Sequence, residues 1–165
     1  MILNKNITNT NIMLINTKYT RKIDARIRAW MRKNAPILLR WSVGIIFLWF
    51  GALKFFQGAS PAESLAIETI HLLTFGWFSD TIIINGLALW EVVVGIGLMT
   101  GFFLREIILL LLLQMLGTLT PIFLFPEEVF LQIPFVLTLE GQYIVKNLVL
   151  MSAGVAIGGT LKDPQ

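Results

Sequence analysis

The sequence predicts an all-α fold: an integral membrane four-helix bundle preceded by a basic amphipathic helix. Of the 165 residues, 56% are hydrophobic and only 14% are charged, whereas about 25% are charged in an average soluble domain. Four apolar runs follow one another, each of roughly the 20 residues that cross a bilayer. Positive charge is concentrated ahead of the first run, so the sequence also predicts an orientation in the membrane.

The first 35 residues contain two different segments. Residues 1–16 are rich in asparagine and weakly patterned, without the apolar core of a signal peptide, and we expect a flexible tail. Residues 17–35 carry apolar side chains at helical spacing among many arginines and lysines: Ile23, Ile27, Trp30 and Met31. This pattern predicts a basic interfacial amphipathic helix on the cytoplasmic leaflet of the lipid bilayer. A solvated linker is the alternative, and the position before an apolar run argues against nucleic-acid binding.

Residues 36–160 are predicted to form the four-transmembrane-helix domain, with spans at about 36–56, 81–101, 106–125 and 141–159. Residues 1–40 hold nine Lys or Arg and one Asp, whereas the loops 57–80 and 126–140 hold three acids each and no Lys or Arg. Since cytoplasmic loops carry the excess of positive charge, both termini are expected in the cytoplasm.

The two outer loops have structure-forming signals of their own. Ser60, Pro61 and Glu63 match the start of a helix, with a serine N-cap, a proline at the first position and a glutamate three residues after the cap. A short helix is therefore expected on the outer surface. The second loop, PEEVFLQIPFVLT, is unusually apolar and is expected to fold back over the bundle as a lid.

Polar groups inside the spans mark a candidate site. Glu91 lies near the centre of the second run, where a carboxylate is costly unless it pairs or serves a function. Lys54 and Lys146 are the cations available to it. One interpretation is that such a pair only locks helix packing. Another is that these charges line a pocket for an apolar molecule with a polar head, such as a quinone or another isoprenoid lipid. An ion or proton path is the third.

The residues expected to bind such a ligand lie in the outer half of the bundle. They are Lys54, Trp90, Glu91, Gln114, Thr118, Glu140, Lys146 and Asn147. No catalytic residue and no metal ligand is predicted. The chain has no cysteine and one histidine, His71, which excludes thiol redox chemistry and a metal site built from several histidines. We therefore do not expect the chain to be an enzyme on its own.

Three stretches together resemble a known family. They are RWSVGIIFLWFGALKF at 40–55, Trp90-Glu91 leading into GIGLMTG and Arg105, and EGQYIVKNL at 140–148. These segments resemble the DoxX-like superfamily of small four-helix membrane proteins, and within it the YkgB/RclC branch of reactive-chlorine-resistance membrane proteins. The resemblance covers about residues 36–160 and does not include the basic segment before them.

The resemblance implies a bundle in the bacterial cytoplasmic (inner) membrane and a role in redox metabolism or oxidative stress resistance. The motif residues carried over are Lys54, Glu91, Arg105, Glu140, Lys146 and Asn147, without a catalytic role. We expect an accessory protein of stress defence with a quinone or lipid pocket. The alternatives are a membrane subunit that passes electrons to quinone together with a redox partner protein, and a small proton-coupled transporter in which Glu91 titrates.

Overall fold

The computed structural model describes residues 3–56, 58 and 63–161, and for residues 3–19 the backbone alone. The fold is all-α apart from one short antiparallel hairpin. Its helices are α1 (Leu3–Leu53), α2 (Glu63–Leu73), α3 (Asp80–Thr100), α4 (Leu104–Leu119), α5 (Pro121–Leu124), α6 (Pro126–Val129) and α7 (Leu139–Gly158). The hairpin strands are β1 (Phe130–Gln132) and β2 (Val136–Leu137).

The chain divides into two compact units, Met1–Ile37 and Leu38–Gln165. In the first unit the residues from Leu3 onward belong to α1, including positions 3–16 that were expected to be a flexible tail. No glycine or proline lies between residues 3 and 35, so nothing in this stretch breaks the helix. The apolar positions of the basic segment are exposed, for example Ile27 and Trp30, and Arg28 pairs with Asp24 one turn earlier at 2.7 Å.

Within the described residues, three helical segments are long and apolar enough to cross a membrane: Thr20–Leu53, Asp80–Thr100 and Leu104–Leu124. The second and third lie within two residues of the spans predicted at 81–101 and 106–125. The first differs from the prediction, because the basic segment and the apolar run belong to the same helix and Pro36 lies inside it.

Helix α7 was expected to be a fourth span, and it is not among these three. Its 20 residues match the required length, but its first half contains Glu140, Gln142, Lys146 and Asn147. These four residues lower the apolar character of the helix. Helix α7 packs along α4 within the second unit.

The main core of the second unit lies between α1, α3, α4 and α7. It contains Phe47, Leu98, Leu111 and Ile157, all at most 3% exposed. Helices α1 and α3 are in close contact at Gly95, where a β-carbon would lie 2.6 Å from the backbone nitrogen of Leu48. Small residues that let helix backbones meet are typical of membrane bundles.

Gly97 and Gly101, four residues apart on α3, have different roles in the structure. Gly97 lies against Ile107 of α4. Gly101 is the C-cap of α3 with a positive φ of 84°, and it lies beside the guanidinium of Arg40. A left-handed cap favours glycine because a β-carbon is strained there.

The two loop regions form a smaller core at the end of the bundle where α3 and α7 begin. Helix α2 confirms a short helix in the first loop, whereas the expected cap residues Ser60 and Pro61 lie outside the described residues. It contributes Leu65, which packs with Val129 and Ile144. Thr138 caps α7 by accepting a hydrogen bond from the Gly141 N–H, and its hydroxyl donates to the Glu128 carbonyl. The segment 126–137 folds back onto the bundle, where Val129 packs with Leu65 and Ile144, and it does not line the cavity described below. Its expected role as a lid stays a prediction.

Candidate functional site

An ion pair connects α1 and α3 inside the second unit. Lys54, the first residue after α1, places its Nζ 2.7 Å from Oε2 of Glu91, and both side chains are only 12% exposed. Gly51 makes this approach possible, because a β-carbon there would lie 2.7 Å from the Cβ of Glu91. Of the two cations expected to pair with Glu91, the structure therefore selects Lys54. Lys146 is exposed, and its Nζ lies 5.3 Å from the ring centroid of Tyr143.

Gln114 of α4 extends this pair into a three-residue cluster. Its Nε2 donates a hydrogen bond of 2.7 Å to Oε1 of Glu91, so each carboxylate oxygen of Glu91 has a side-chain partner. Gln114 is only 8% exposed. In the part of the chain that the structure describes, its Oε1 is buried and has no hydrogen-bond partner. A buried polar atom without a partner is unusual and marks a position where a ligand or water is expected.

A cavity of about 320 Å³ lies beside Gln114, at the end of the bundle where α3 and α7 begin and α4 ends. Its walls come from α2, α3, α4, α5 and α7 and are mostly apolar, including Leu65, Ile70, Leu73, Leu87, Leu113 and Ile144. Its polar or aromatic lining residues are Thr69, Trp90, Gln114, Thr118, Glu140, Tyr143 and Asn147. The volume is at the lower end of the range of small-molecule sites.

Several polar groups around the cavity are hydrogen-bonded to one another or to helix backbones. The Nδ2 of Asn147 donates to Oγ1 of Thr118 at 3.0 Å, and this hydroxyl donates to the Met115 carbonyl at 2.8 Å. The indole Nε1 of Trp90 donates to the Leu110 carbonyl at 3.2 Å. These bonds fix α7 and α3 against α4, and they also fix which polar atoms remain for a ligand.

The structure brings five of the eight expected residues to the cavity: Trp90, Gln114, Thr118, Glu140 and Asn147. The other three do not line it. Lys54 and Glu91 lie behind Gln114 and bond to each other, and Lys146 is exposed. Helical geometry explains why Lys146 does not line the cavity. Residues 140, 143, 144 and 147 share one face of α7, whereas residue 146 is rotated about 100° from residue 147.

Tyr143 and the α2 residues of the cavity wall, Leu65, Ala66, Thr69, Ile70 and Leu73, were not expected at the site. A sequence signal existed for both. Tyr143 is three residues after Glu140 and four before Asn147, so it shares their face of α7. The α2 residues recur at spacings of three and four, which describes one helix face. Among the described residues, no cluster of three or more His, Asp or Glu side chains could hold a metal ion.

No protein-family model matches this chain, and no curated protein or solved structure is significantly similar to it. The geometry of the cavity and of the Lys54–Glu91–Gln114 cluster is therefore the basis on which function is inferred.

Proposed function

We propose that this protein is a multi-pass integral membrane protein that holds an isoprenoid quinone or a related isoprenoid lipid in the cavity between α2, α3, α4 and α7. One observation carries the proposal: an apolar cavity of about 320 Å³ is lined by a glutamine whose buried Oε1 has no partner among the described residues. Mostly apolar walls with a few fixed polar groups are typical of sites for small apolar ligands.

The charge of the lining favours an uncharged head over a phospholipid. Among the described residues that line the cavity, Glu140 is the charged one, and neither Lys nor Arg is present. A phosphate head would need a cation or several N–H donors. The oxygen-bearing ring or hydroxyl of an isoprenoid needs only a few uncharged partners, and its tail matches the leucine and isoleucine walls.

The membrane setting of the proposal includes α7 as a fourth span. Three helices already have the length and apolar composition of spans. Many apolar side chains on their outward faces are exposed, such as Leu109, Leu116 and Val93, as expected for groups that contact lipid. With α7 crossing as well, both termini lie in the cytoplasm, which agrees with the acidic loops 57–80 and 126–140. The cavity then lies in the outer half of the membrane.

Several of the residues that carry the DoxX-like resemblance lie at this end of the bundle. Lys54 from FGALKF pairs with Glu91, and Glu140 and Asn147 from EGQYIVKN line the cavity with Trp90. This arrangement supports the proposal that the chain is a DoxX-like protein of the bacterial inner membrane in redox or reactive-chlorine stress resistance. Such a protein would act as an accessory component, alone or as the membrane subunit beside a redox partner.

The position of Glu91 favours this role over proton-coupled transport. Both of its carboxylate oxygens bond to protein side chains, and it does not line the cavity. Glu91 therefore holds Lys54 and Gln114 in place, which is a positioning role.

Native mass spectrometry of the gently solubilised full-length protein, followed by extraction of the copurified lipid, tests the proposal. We expect about one isoprenoid quinone or isoprenoid alcohol per chain, and a clear loss of it in Gln114→Leu. Gln142→Leu is the matched control, because Gln142 is exposed and does not line the cavity. An empty protein, or one that carries only bulk phospholipid, contradicts the proposal.

A cellular measurement addresses the proposed stress role. The test uses bacteria whose resistance to hypochlorous acid requires this protein. Cells that express the wild type or Gln142→Leu are expected to survive the acid. Cells that express Gln114→Leu at equal protein abundance are expected to lose that protection. Equal survival of all three strains would show that the cavity is not needed for stress resistance.

A further inference from the structure

We infer that the cavity selects a ligand whose polar head donates hydrogen bonds, so that it prefers a hydroxyl-bearing head, as in a quinol or an isoprenoid alcohol, to the carbonyl-bearing head of a quinone. The inference rests on the proposed function and narrows the ligand of the same site. It follows from which polar atoms around the cavity already form hydrogen bonds within the protein.

The orientation of the Gln114 amide is determined by the ion pair. The Nζ of Lys54 lies 2.7 Å from Oε2 of Glu91, and in this ion pair Glu91 is a carboxylate, which accepts hydrogen bonds and donates none. The atom of Gln114 that lies 2.7 Å from Oε1 of Glu91 must therefore be the amide nitrogen. The amide oxygen is left on the other side, buried and without a partner in the described part of the chain. Gln114, which lines the cavity, thus has an acceptor that no described residue uses.

The same reasoning determines the orientation of the Asn147 amide. The hydroxyl of Thr118 has one hydrogen, and it is donated to the Met115 carbonyl at 2.8 Å. Toward Asn147 this hydroxyl is therefore an acceptor, so the group of Asn147 that lies 3.0 Å away is its NH2. The Oδ1 of Asn147 is the atom left over, and it too is an acceptor.

The other polar side chains around the cavity add little donor capacity. Thr69 donates its hydroxyl to the Leu65 carbonyl at 2.6 Å, and the indole N–H of Trp90 is used by Leu110. Glu140 contributes carboxylate oxygens, which accept when the group is ionised. The amide nitrogens of Gln114 and Asn147 each give one hydrogen to a protein acceptor and keep one. The hydroxyl of Tyr143 is a further donor, and its side chain is 39% exposed.

A set of free acceptors discriminates between the two redox forms of the same ring. A quinol hydroxyl donates to Oε1 of Gln114 or Oδ1 of Asn147, whereas a quinone carbonyl brings another acceptor against them and leaves both sides unsatisfied. A buried polar group left without a partner lowers affinity about tenfold or more. Sites that hydrogen-bond a hydroxyl discriminate strongly against analogues that lack it.

Isothermal titration under anaerobic conditions tests this selectivity with the full-length protein in lipid nanodiscs. The two ligands are a decyl benzoquinol and the decyl benzoquinone with the same ring substituents, so that tail and ring size are held constant. We expect the quinol to bind at least about tenfold more tightly. Farnesol is the third ligand, and binding of farnesol comparable to that of the quinol would show that the hydroxyl is recognised without the ring.

The outcomes separate the inference from the proposed function. Equal affinity for quinol and quinone, or tighter binding of the quinone, overturns the inference and leaves the proposed function standing. Binding of none of the three ligands overturns the proposed function and the inference with it. Since both redox forms are compared on the wild type, this result does not depend on a variant that folds.

Two variants test which residues cause a preference for the quinol over the quinone. Asn147→Leu removes one free acceptor and should lower quinol affinity about tenfold with little effect on the quinone, so the ratio of the two narrows. Gln142→Leu, an exposed position on the same helix, should leave the ratio unchanged. A ratio that Asn147→Leu does not narrow would show that the acceptors of this cavity are not the source of the preference.

Discussion

The Nζ of Lys54 lies 2.7 Å from Oε2 of Glu91, and this contact joins the end of α1 to the middle of α3. Both side chains are 12% exposed, so neither charge is well solvated by water. In such surroundings each charge is tolerated because of the other, and removal of one partner leaves an uncompensated charge. The pair therefore positions Gln114, which bonds to the second carboxylate oxygen and lines the cavity.

We expect Lys54→Met to lower the stability of the protein by about 3–5 kcal/mol, because it leaves the Glu91 carboxylate buried without its cation. The double variant Lys54→Met with Glu91→Gln should recover most of this loss, since no charge is then left unpaired. Thermal unfolding in mild detergent measures both. Lys146→Met is the matched control, because Lys146 is exposed, and its melting temperature should be close to that of the wild type. A larger loss for Lys146→Met than for Lys54→Met would mean that Lys146 is the partner of Glu91.

Gly95→Ala should destabilise the contact between α1 and α3. The added β-carbon would lie 2.6 Å from the Leu48 nitrogen and 2.8 Å from the Gly44 carbonyl oxygen, and backbone atoms cannot move aside as a side chain can. We expect a cost of about 1–3 kcal/mol, measured as a fall in melting temperature. Gly86→Ala on the same helix has no atom within 4 Å of its β-carbon and should be neutral or slightly stabilising. Equal melting temperatures for the two variants would contradict the close approach.

Gly117→Leu should empty the cavity of its ligand without unfolding the protein. Gly117 lines the cavity, and a β-carbon there would meet no atom within 4 Å, so a leucine can extend into the space that the ligand uses. Copurified isoprenoid, counted by mass spectrometry, should fall to near zero while the melting temperature in detergent remains within a few degrees of the wild-type value.

Gly86→Leu makes the same chemical change on α3 at a position that does not line the cavity. It should retain the ligand at the wild-type level. Retention of ligand by a folded Gly117→Leu would place the ligand elsewhere.

The topology can be measured cleanly because the chain has no cysteine of its own. Single cysteines at Ser79 and Gln132, both exposed, should react with a membrane-impermeant maleimide in intact cells. Cysteines at Lys33 and Thr160 should react only after permeabilisation. Thr160 follows α7, so its labelling from outside would show that α7 does not cross the membrane and that three spans are the whole set.

The spans and the charge cluster could largely be predicted from the sequence, whereas the choice of partner could not. Apolar length places the spans 81–101 and 106–125 within two residues of the observed segments Asp80–Thr100 and Leu104–Leu124, because crossing a bilayer fixes how long such a run must be. Helical periodicity, however, predicts which residues share one face of a helix and does not predict how that helix is rotated against its neighbours. The sequence therefore left both Lys54 and Lys146 as possible partners of Glu91.

The cavity was predicted in part for a similar reason. Trp90, Gln114, Thr118, Glu140 and Asn147 stand out as polar or aromatic groups within apolar runs. The wall from α2 does not stand out, because Leu65, Ile70 and Leu73 are ordinary apolar residues of an amphipathic helix. Their contribution depends on where the short helix docks, and that is set by packing against Val129 and Ile144.

Because one amide serves both the ion pair and the cavity, occupancy and folding are thermodynamically coupled. An occupant that bonds to Oε1 of Gln114 holds the same side chain that Glu91 holds, and coupling between two sites is reciprocal. The free energy by which the ion pair strengthens binding equals the free energy by which a bound occupant stabilises the ion pair. An occupant that bonds to this oxygen of Gln114 should therefore raise the melting temperature of the protein, and a weakened Lys54–Glu91 pair should reduce that rise.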